Sequence, residues 1–133
     1  YRIGTYIFND RSLVENNICS EKKVALTVLA TVVSTPTKNR AIIDAGSKVL
    51  TSDLFGMNDH GSIVNYPELR ITQLTEEHGT IVSEQNTNLV IGQKIEIIPN
   101  HACVVTNMLN EVNLITEEKQ IKKVKVIARG KVW

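Results

Sequence analysis

The residues best suited to chemistry are a histidine and a cysteine two positions apart, His101 and Cys103, just after an apolar run that ends at Pro99. Imidazole nitrogen and thiolate sulfur are both common zinc ligands. At this spacing the two side chains can lie on one side of an extended segment or wrap around a metal in a turn. On a regular helix they would point about 200° apart. The pair therefore predicts a metal site built on a strand or loop.

The spacing also has an interpretation without a metal. Two ligands are too few for a closed structural zinc site, so a surface histidine beside a buried cysteine explains His101 and Cys103 equally well. An open site is different, because catalytic zinc keeps positions for water or substrate and polarises what it binds. Both interpretations remain at this point.

Other polar residues could assist such a site. Glu77 and His78 lie in the sequence Glu-Glu-His-Gly, and a carboxylate there could orient a metal ligand by a hydrogen bond to it. An exposed acidic turn explains the same residues. Asp44 lies in a turn-forming segment, where a hydrogen bond to its own turn explains it without a function. His60 is interpreted as an ordinary loop residue.

Composition restricts the function classes. The chain has 133 residues, 42% of them hydrophobic and 22% charged, as expected of one globular domain. With 15 Lys and Arg against 14 Asp and Glu, and only 5% aromatics, it has neither the basic field nor the stacking rings that favour nucleic-acid binding. No apolar stretch approaches the roughly 20 residues of a membrane helix. Cys19 and Cys103 are too few for a secreted disulfide framework, which favours free thiols and a cytoplasmic location.

The elements that must position these residues are predicted to be short strands joined by turns. The strand at 24–33 is almost wholly apolar and is predicted to be buried on both faces, with a helix as the alternative. The segment 11–23 is predicted to be an exposed loop, and 51–65 a long loop of the kind that is more often functional than idle. The predicted strands are 1–8, 24–33, 40–44, 68–74, 79–83, 94–98, 112–116 and 121–127. Many short strands and little helix predict a mainly β fold, a barrel or sandwich.

Five blocks of sequence carry a resemblance to a known family. They are Arg2–Asp10, Ala41–Lys48, Glu76–Gly79, Pro99–Cys103 and Ala128–Gly130. In order and spacing along essentially the whole chain, they resemble the carboxy-terminal domain of D-threonine aldolases and D-serine dehydratases. The resemblance implies that residues 1–133 form the single C-terminal β domain of an alanine racemase-like enzyme. The opening at Tyr1, without an initiator Met, fits the same expectation of a piece of a longer protein.

The family resemblance also implies a division of the active site. An N-terminal (β/α)8 barrel, absent from this chain, would carry pyridoxal phosphate on a lysine, so no lysine of this chain is given that role. His101 and Cys103 would hold a divalent metal beside the cofactor. The His-x-Cys pair looks like the D-serine dehydratase version and favours zinc, because a thiolate is a softer ligand than a carboxylate. The aldolase version would have Asp in place of Cys103 and favour manganese.

The activity implied by the resemblance is metal-assisted β-elimination from a D-3-hydroxy amino acid, or retro-aldol cleavage of one. Glu77, His78 and Asp44 would be supporting residues around the metal ligands. The partners would be the chain's own barrel and a second subunit, in a homodimer whose active sites lie at the interface. The isolated domain is predicted to be inactive. The alternative is a non-catalytic β-barrel interaction module in which His101 and Cys103 are idle.

Overall fold

The structure is a computed structural model that describes residues 3–131. It is mainly β, as predicted, and its centre is a six-stranded antiparallel sheet in the order β3-β6-β1-β2-β5-β4. The strands of this sheet are β1 Val28–Thr37, β2 Arg40–Ile43, β3 Ser62–Ile63, β4 Arg70–Leu74, β5 Gly79–Val82 and β6 Lys94–Ile98. Four of the predicted strands, at 40–44, 68–74, 79–83 and 94–98, are confirmed to within two residues at each end.

The sheet curls until its two edges nearly meet. The backbone N–H of His60, just before β3, donates to the carbonyl oxygen of Ile71 on β4 at 3.0 Å. The inward side chains of the strands fill the resulting barrel, and Ile43, Ile71, Ile81 and Ile97 are all 0% exposed. Their alternation with polar neighbours is the period-2 pattern of strands that bury one face.

The first strand differs from its prediction in extent and burial. It is a strand rather than a helix, but it begins at Val28 and continues through Pro36 to Thr37. The prediction of burial on both faces is wrong, because Leu29 is 65% exposed while Val32 is 0% exposed. A barrel wall has only one inner face. Pro36 is tolerated because the pairing with β2 is irregular between Ser34 and Thr37, where the missing N–H of proline breaks no regular ladder.

Two predictions for the N-terminal region are wrong. The predicted strand at 1–8 is a 3-10 turn at Thr5–Ile7, and its first two residues lie outside the described part of the chain. The predicted loop at 11–23 contains helix α1 Arg11–Glu15 and a 3-10 turn at Glu21–Lys23. The Asp10 side chain caps α1 by accepting from the Leu13 N–H at 3.3 Å. A helix of five residues is too short to show a helical period of hydrophobic residues, so the sequence did not predict it.

The remaining elements are two short helices and a hairpin. Helix α2 is Ser47–Leu50 and helix α3 is Ala102–Met108. The predicted terminal hairpin is confirmed as β7 Glu111–Ile115 paired with β8 Ile121–Lys125, and it forms a sheet separate from the barrel. Within residues 3–131, no helix is long and apolar enough to cross a membrane.

Candidate functional site

The segment that carries the two predicted ligands joins β6 to α3. His101 is extended, with φ −140° and ψ 104°, and α3 begins at the next residue, so Cys103 lies in the first turn of this helix. The prediction that the pair lies on a strand or loop is therefore wrong for Cys103. The two side chains need not point about 200° apart, as they would on a regular helix, because His101 has an extended backbone and Cys103 a helical one. Cys103 is an exposed free thiol, which contradicts the buried cysteine of the metal-free interpretation.

Buried polar contacts fix this segment on both sides of His101. The Asn100 amide, 3% exposed, donates to the carbonyl oxygens of Leu54 at 3.2 Å and Asp59 at 2.7 Å. The Ala102 N–H donates to the carboxylate of Asp10 at 2.9 Å. Because buried polar groups are costly to leave unpaired, these bonds hold the backbone in one position.

Asp10 joins the N-terminal region to the ligand segment. It is 0% exposed, and its two carboxylate oxygens accept hydrogen bonds from different segments. Oδ1 accepts from the Ser12 hydroxyl at 2.5 Å and from the Leu13 N–H at the start of α1, while Oδ2 accepts from Ala102. A further backbone bond runs from the Arg11 N–H to the Pro99 oxygen at 3.0 Å. Helices α1 and α3 are thus tied together through one carboxylate.

A second buried carboxylate supports the loop that faces His101. Asp59 is 4% exposed and pairs with Arg11, and with Arg70 at 3.0 Å. Arg11 also reaches the Asn100 side-chain oxygen at 3.4 Å. A buried charge needs such partners, and here they connect the loop, α1, β4 and the ligand segment.

Two residues of the loop that the sequence predicted to be long, Asp53 and Phe55, contact the His101 ring. Asp53 Oδ2 lies 3.2 Å from His101 Nδ1, and Asp53 Oδ1 accepts from the Phe55 N–H at 3.0 Å. The Phe55 ring lies against the imidazole, with centroids 4.4 Å apart and planes inclined by 30°. A carboxylate at Nδ1 favours the tautomer that carries the proton there, which leaves Nε2 as an acceptor or metal ligand.

Asp53 is the supporting carboxylate that the sequence did not single out. Its only local signal is the turn made with Phe55, and 48 residues separate it from His101. The other neighbour missed is Thr5, whose hydroxyl oxygen lies 3.6 Å from Cys103 Sγ. Both contacts depend on segments that are distant in sequence.

The three supporting residues predicted from the sequence have other partners. The Lys48 ammonium donates to Glu77 at 2.5 Å, which lowers the pKa of Glu77, and the hydrogen bonds that Lys48 donates to Glu77 and Glu76 raise the pKa of Lys48. The His78 carbonyl oxygen accepts from the Thr75 N–H at 2.8 Å. Within the described residues, neither side chain hydrogen-bonds to His101 or Cys103.

Asp44 is also engaged elsewhere. Its carboxylate accepts from the Thr31 N–H at 2.6 Å, across the sheet on β1, so the predicted hydrogen bond to its own turn is replaced by a contact between strands. Partial burial opposes ionisation of Asp44, but the hydrogen bonds from Thr31 and the nearby charge of Lys94 leave its pKa below the ordinary value.

The blocks that contain Asp44 and Glu77 pack against one another. The Ser47 N–H at the start of α2 donates to the Thr75 oxygen at 2.8 Å, and a Cβ added at Gly46 would lie 2.5 Å from that same oxygen. Gly46 is therefore required for close approach of the two segments. These blocks are accounted for by the packing of the barrel wall.

The donor chemistry of the ligand segment fits an open zinc site better than a closed one. Across residues 3–131 no group of three or more His, Cys, Asp or Glu side chains is placed to hold a metal ion. His101, with Nδ1 held by Asp53, and the exposed thiol of Cys103 supply one borderline and one soft donor, the types that zinc prefers. Two protein donors leave the remaining positions to other groups.

Comparisons of the sequence and of the structure with known proteins point to the same family. The model of the putative serine dehydratase domain matches residues 25–115. The chain is 34% identical over 132 residues to the D-serine dehydratase of Dictyostelium discoideum, covering 89% of this chain and 33% of that protein. It is also 34% identical over 131 residues to an uncharacterized protein of Mycobacterium tuberculosis, covering 94% of this chain and 98% of the relative.

Solved structures share the fold. A D-threonine aldolase from Filomicrobium marinum superposes with a TM-score of 0.80 at 27% identity, covering 98% of this chain and 36% of that one. A cysteine-to-alanine mutant of D-threo-3-hydroxyaspartate dehydratase in its metal-free form superposes with a TM-score of 0.76 at 25% identity, covering 92% of this chain and 37% of that one. The chain thus spans about a third of the length of the enzymes it resembles, but nearly the whole mycobacterial relative.

Proposed function

Because this chain belongs to the family of the putative serine dehydratase domain, we propose that it is the metal-bearing β domain of a pyridoxal-phosphate-dependent lyase that acts on D-3-hydroxy amino acids. The observation that carries the proposal is the pairing of His101 with Asp53 beside an exposed Cys103 thiol. A carboxylate that holds one imidazole nitrogen, leaving the other free, is the usual arrangement around a metal-bound histidine.

The residues of this chain have separate roles in the proposed site. His101 Nε2 and the Cys103 thiolate would hold zinc, and Asp53 with Phe55 keeps the imidazole in one orientation. Asp10 and Asn100 hold the backbone on either side, so that the two ligands keep a fixed separation. When bound, zinc supplies Lewis-acid polarisation of the substrate β-hydroxyl and pyridoxal phosphate supplies an electron sink. Softness of the thiolate favours zinc over manganese, and so the dehydratase over the aldolase version.

Exposed apolar side chains support the proposal of a covering partner. The hairpin, the segment just after it and the N-terminal segment carry large hydrophobic residues that face solvent: Ile3, Tyr6, Ile7, Leu114, Ile115, Ile121 and Ile127. An isolated two-stranded hairpin is marginally stable in water, and this hairpin forms a sheet separate from the barrel, so a covering partner would stabilise it. The proposed partners are the N-terminal barrel and the second subunit of a homodimer, with the substrate bound between the domains.

The test of the metal site is zinc binding by the purified chain, measured by competition with a chromophoric chelator. We expect His101→Ala and Cys103→Ala to lower zinc affinity by about tenfold or more. His78→Ala and Cys19→Ala are the matched controls, one exposed imidazole and one thiol outside the site, and should bind as the wild type does. Equal and negligible binding by all five proteins would remove the support for the site.

The test of the missing half of the active site is activity. The chain alone should show no absorbance shift on titration with pyridoxal phosphate and no turnover of D-serine or D-threonine. Turnover by the pure chain, free of any contaminating enzyme, would contradict the proposal that a barrel completes the site.

A non-catalytic interaction module is the second candidate, and one observation favours it. The mycobacterial relative is matched over 98% of its own length, which leaves no room in that protein for a barrel. In this candidate His101 and Cys103 are idle, so the alanine variants at both positions and the controls would bind zinc equally weakly.

A further inference from the structure

Among the N-terminal residues that the structure describes, 3–10, Thr5 has a side chain that reaches a proposed metal ligand. Its hydroxyl oxygen lies 3.6 Å from Cys103 Sγ, within the distance of a hydrogen bond to sulfur, across 98 positions of sequence. Thr5 is half-buried and Cys103 is exposed. A thiolate has no proton to donate, so a metal-binding Cys103 can only be the acceptor, and Thr5 the donor.

The backbone that carries Thr5 is firmly held. The Thr5 carbonyl oxygen accepts from the Phe8 N–H at 3.1 Å and from the Asn9 N–H at 2.8 Å, which fixes the 3-10 turn. The Asn9 side chain then donates to the Lys23 oxygen at 2.7 Å. Asp10, next along the chain, binds the Ala102 N–H. One short segment therefore contacts the first two residues of α3. The Asp10 carboxylate binds Ala102, and the Thr5 hydroxyl lies against Cys103.

We propose that Thr5 is a positioning residue of the metal site, donating a hydrogen bond to the metal-bound thiolate of Cys103; this inference rests on the proposed function. A donor at the sulfur stabilises the thiolate that binds the metal, and it also withdraws charge from the sulfur. A bound metal would then keep more of its positive charge for polarising the substrate hydroxyl. The N-terminal segment thereby becomes part of the site.

The experiment compares Thr5→Val with Thr5→Ser, since valine keeps the shape of threonine without the hydroxyl and serine keeps the hydroxyl. Cobalt(II) replaces zinc in the full chain, so that the sulfur-to-metal charge-transfer band reports on the thiolate directly. We expect Thr5→Val to weaken cobalt binding about tenfold and to move the band to lower energy, because an unbonded thiolate gives up charge more readily. Thr5→Ser should restore both properties.

Two controls separate this effect from a loss of folding. Thr37→Val removes a hydroxyl that is bonded to Asn39 in the β1–β2 turn, and it should leave the band and the affinity unchanged. Thr5→Ala, which lacks the hydroxyl and is smaller, should reproduce the Thr5→Val band shift if the missing hydroxyl is the cause, and should not reproduce it if the shift comes from valine perturbing the fold. Urea midpoints of all variants identify any protein that is unfolded.

The outcomes are distinguishable. A Thr5→Val protein with the wild-type band and affinity overturns the role of Thr5 and leaves the metal site standing. A Thr5→Ser protein as weak as Thr5→Val overturns it too, because the hydroxyl would then not be the cause. A wild-type chain without cobalt binding that depends on His101 and Cys103 overturns the proposed function and this inference together.

Discussion

Replacing Asp10 by alanine should strongly destabilise the protein, although Asp10 lies outside the barrel core. The carboxylate is 0% exposed and accepts three hydrogen bonds, from Ser12, Leu13 and Ala102. The variant loses the helix cap at Leu13, which costs about 1 kcal/mol. It also leaves the buried Ser12 hydroxyl and Ala102 N–H unpaired, at about 1 to 2 kcal/mol each. The expected loss is about 3 to 5 kcal/mol, a large part of the stability of an ordinary domain.

Urea unfolding followed by circular dichroism measures this loss, and two variants calibrate it. Ser12→Ala removes one of the three bonds and should cost about 1 kcal/mol. Asp10→Asn keeps one oxygen but can turn an amide N–H towards the Ala102 N–H, so its cost should lie between those of the other two variants. An Asp10→Ala protein that is no less stable than Ser12→Ala would refute the assignment of Asp10 as the link between α1 and α3.

Three further predictions follow from particular contacts. Asp53→Ala should lower the zinc affinity of the chain about tenfold, because the His101 ring is then free to turn. Asp53→Asn should lower the zinc affinity less, and chelator competition measures both. Gly46→Ala should lower the free energy of unfolding by about 1 to 3 kcal/mol, because its Cβ would meet backbone oxygens, and an unchanged urea midpoint would contradict that contact. Burial lowers the pKa of His60 although the charge of Asp59 opposes the shift, and its Nδ1 has no partner among residues 3–131. Above its unfolded pKa, His60 is neutral in both the folded and the unfolded state. As the pH falls through about 6.5, the unfolded chain takes up the proton first, so the free energy of unfolding should fall. Urea unfolding at several pH values should show a less steep fall for His60→Asn.

Apart from β3, a two-residue strand inside the segment 51–65 that was predicted to be a loop, the strands of the barrel were predictable because their signal is local. Alternation of apolar and polar residues, bounded by turn residues, indicates each strand without knowledge of its partner. Strand 94–98 is an example, with Ile95 and Ile97 facing the core and Lys94 and Glu96 facing out. The short helices escaped prediction for the opposite reason. Four to seven residues do not complete enough turns to show a helical period, and α1 and α3 depend on the carboxylate of Asp10.

The sequence by itself determined the β architecture and the two donor types at 101 and 103, because strand periodicity and ligand chemistry belong to neighbouring residues. Only the tertiary structure decided what surrounds those donors. Asp53 meets His101 across 48 positions, Asp10 meets Ala102 across 92, and Thr5 meets Cys103 across 98. No local pattern selects one carboxylate or hydroxyl among many for such a contact. The choice is made when the barrel closes and brings the N-terminal turn, the long loop and α3 to one end.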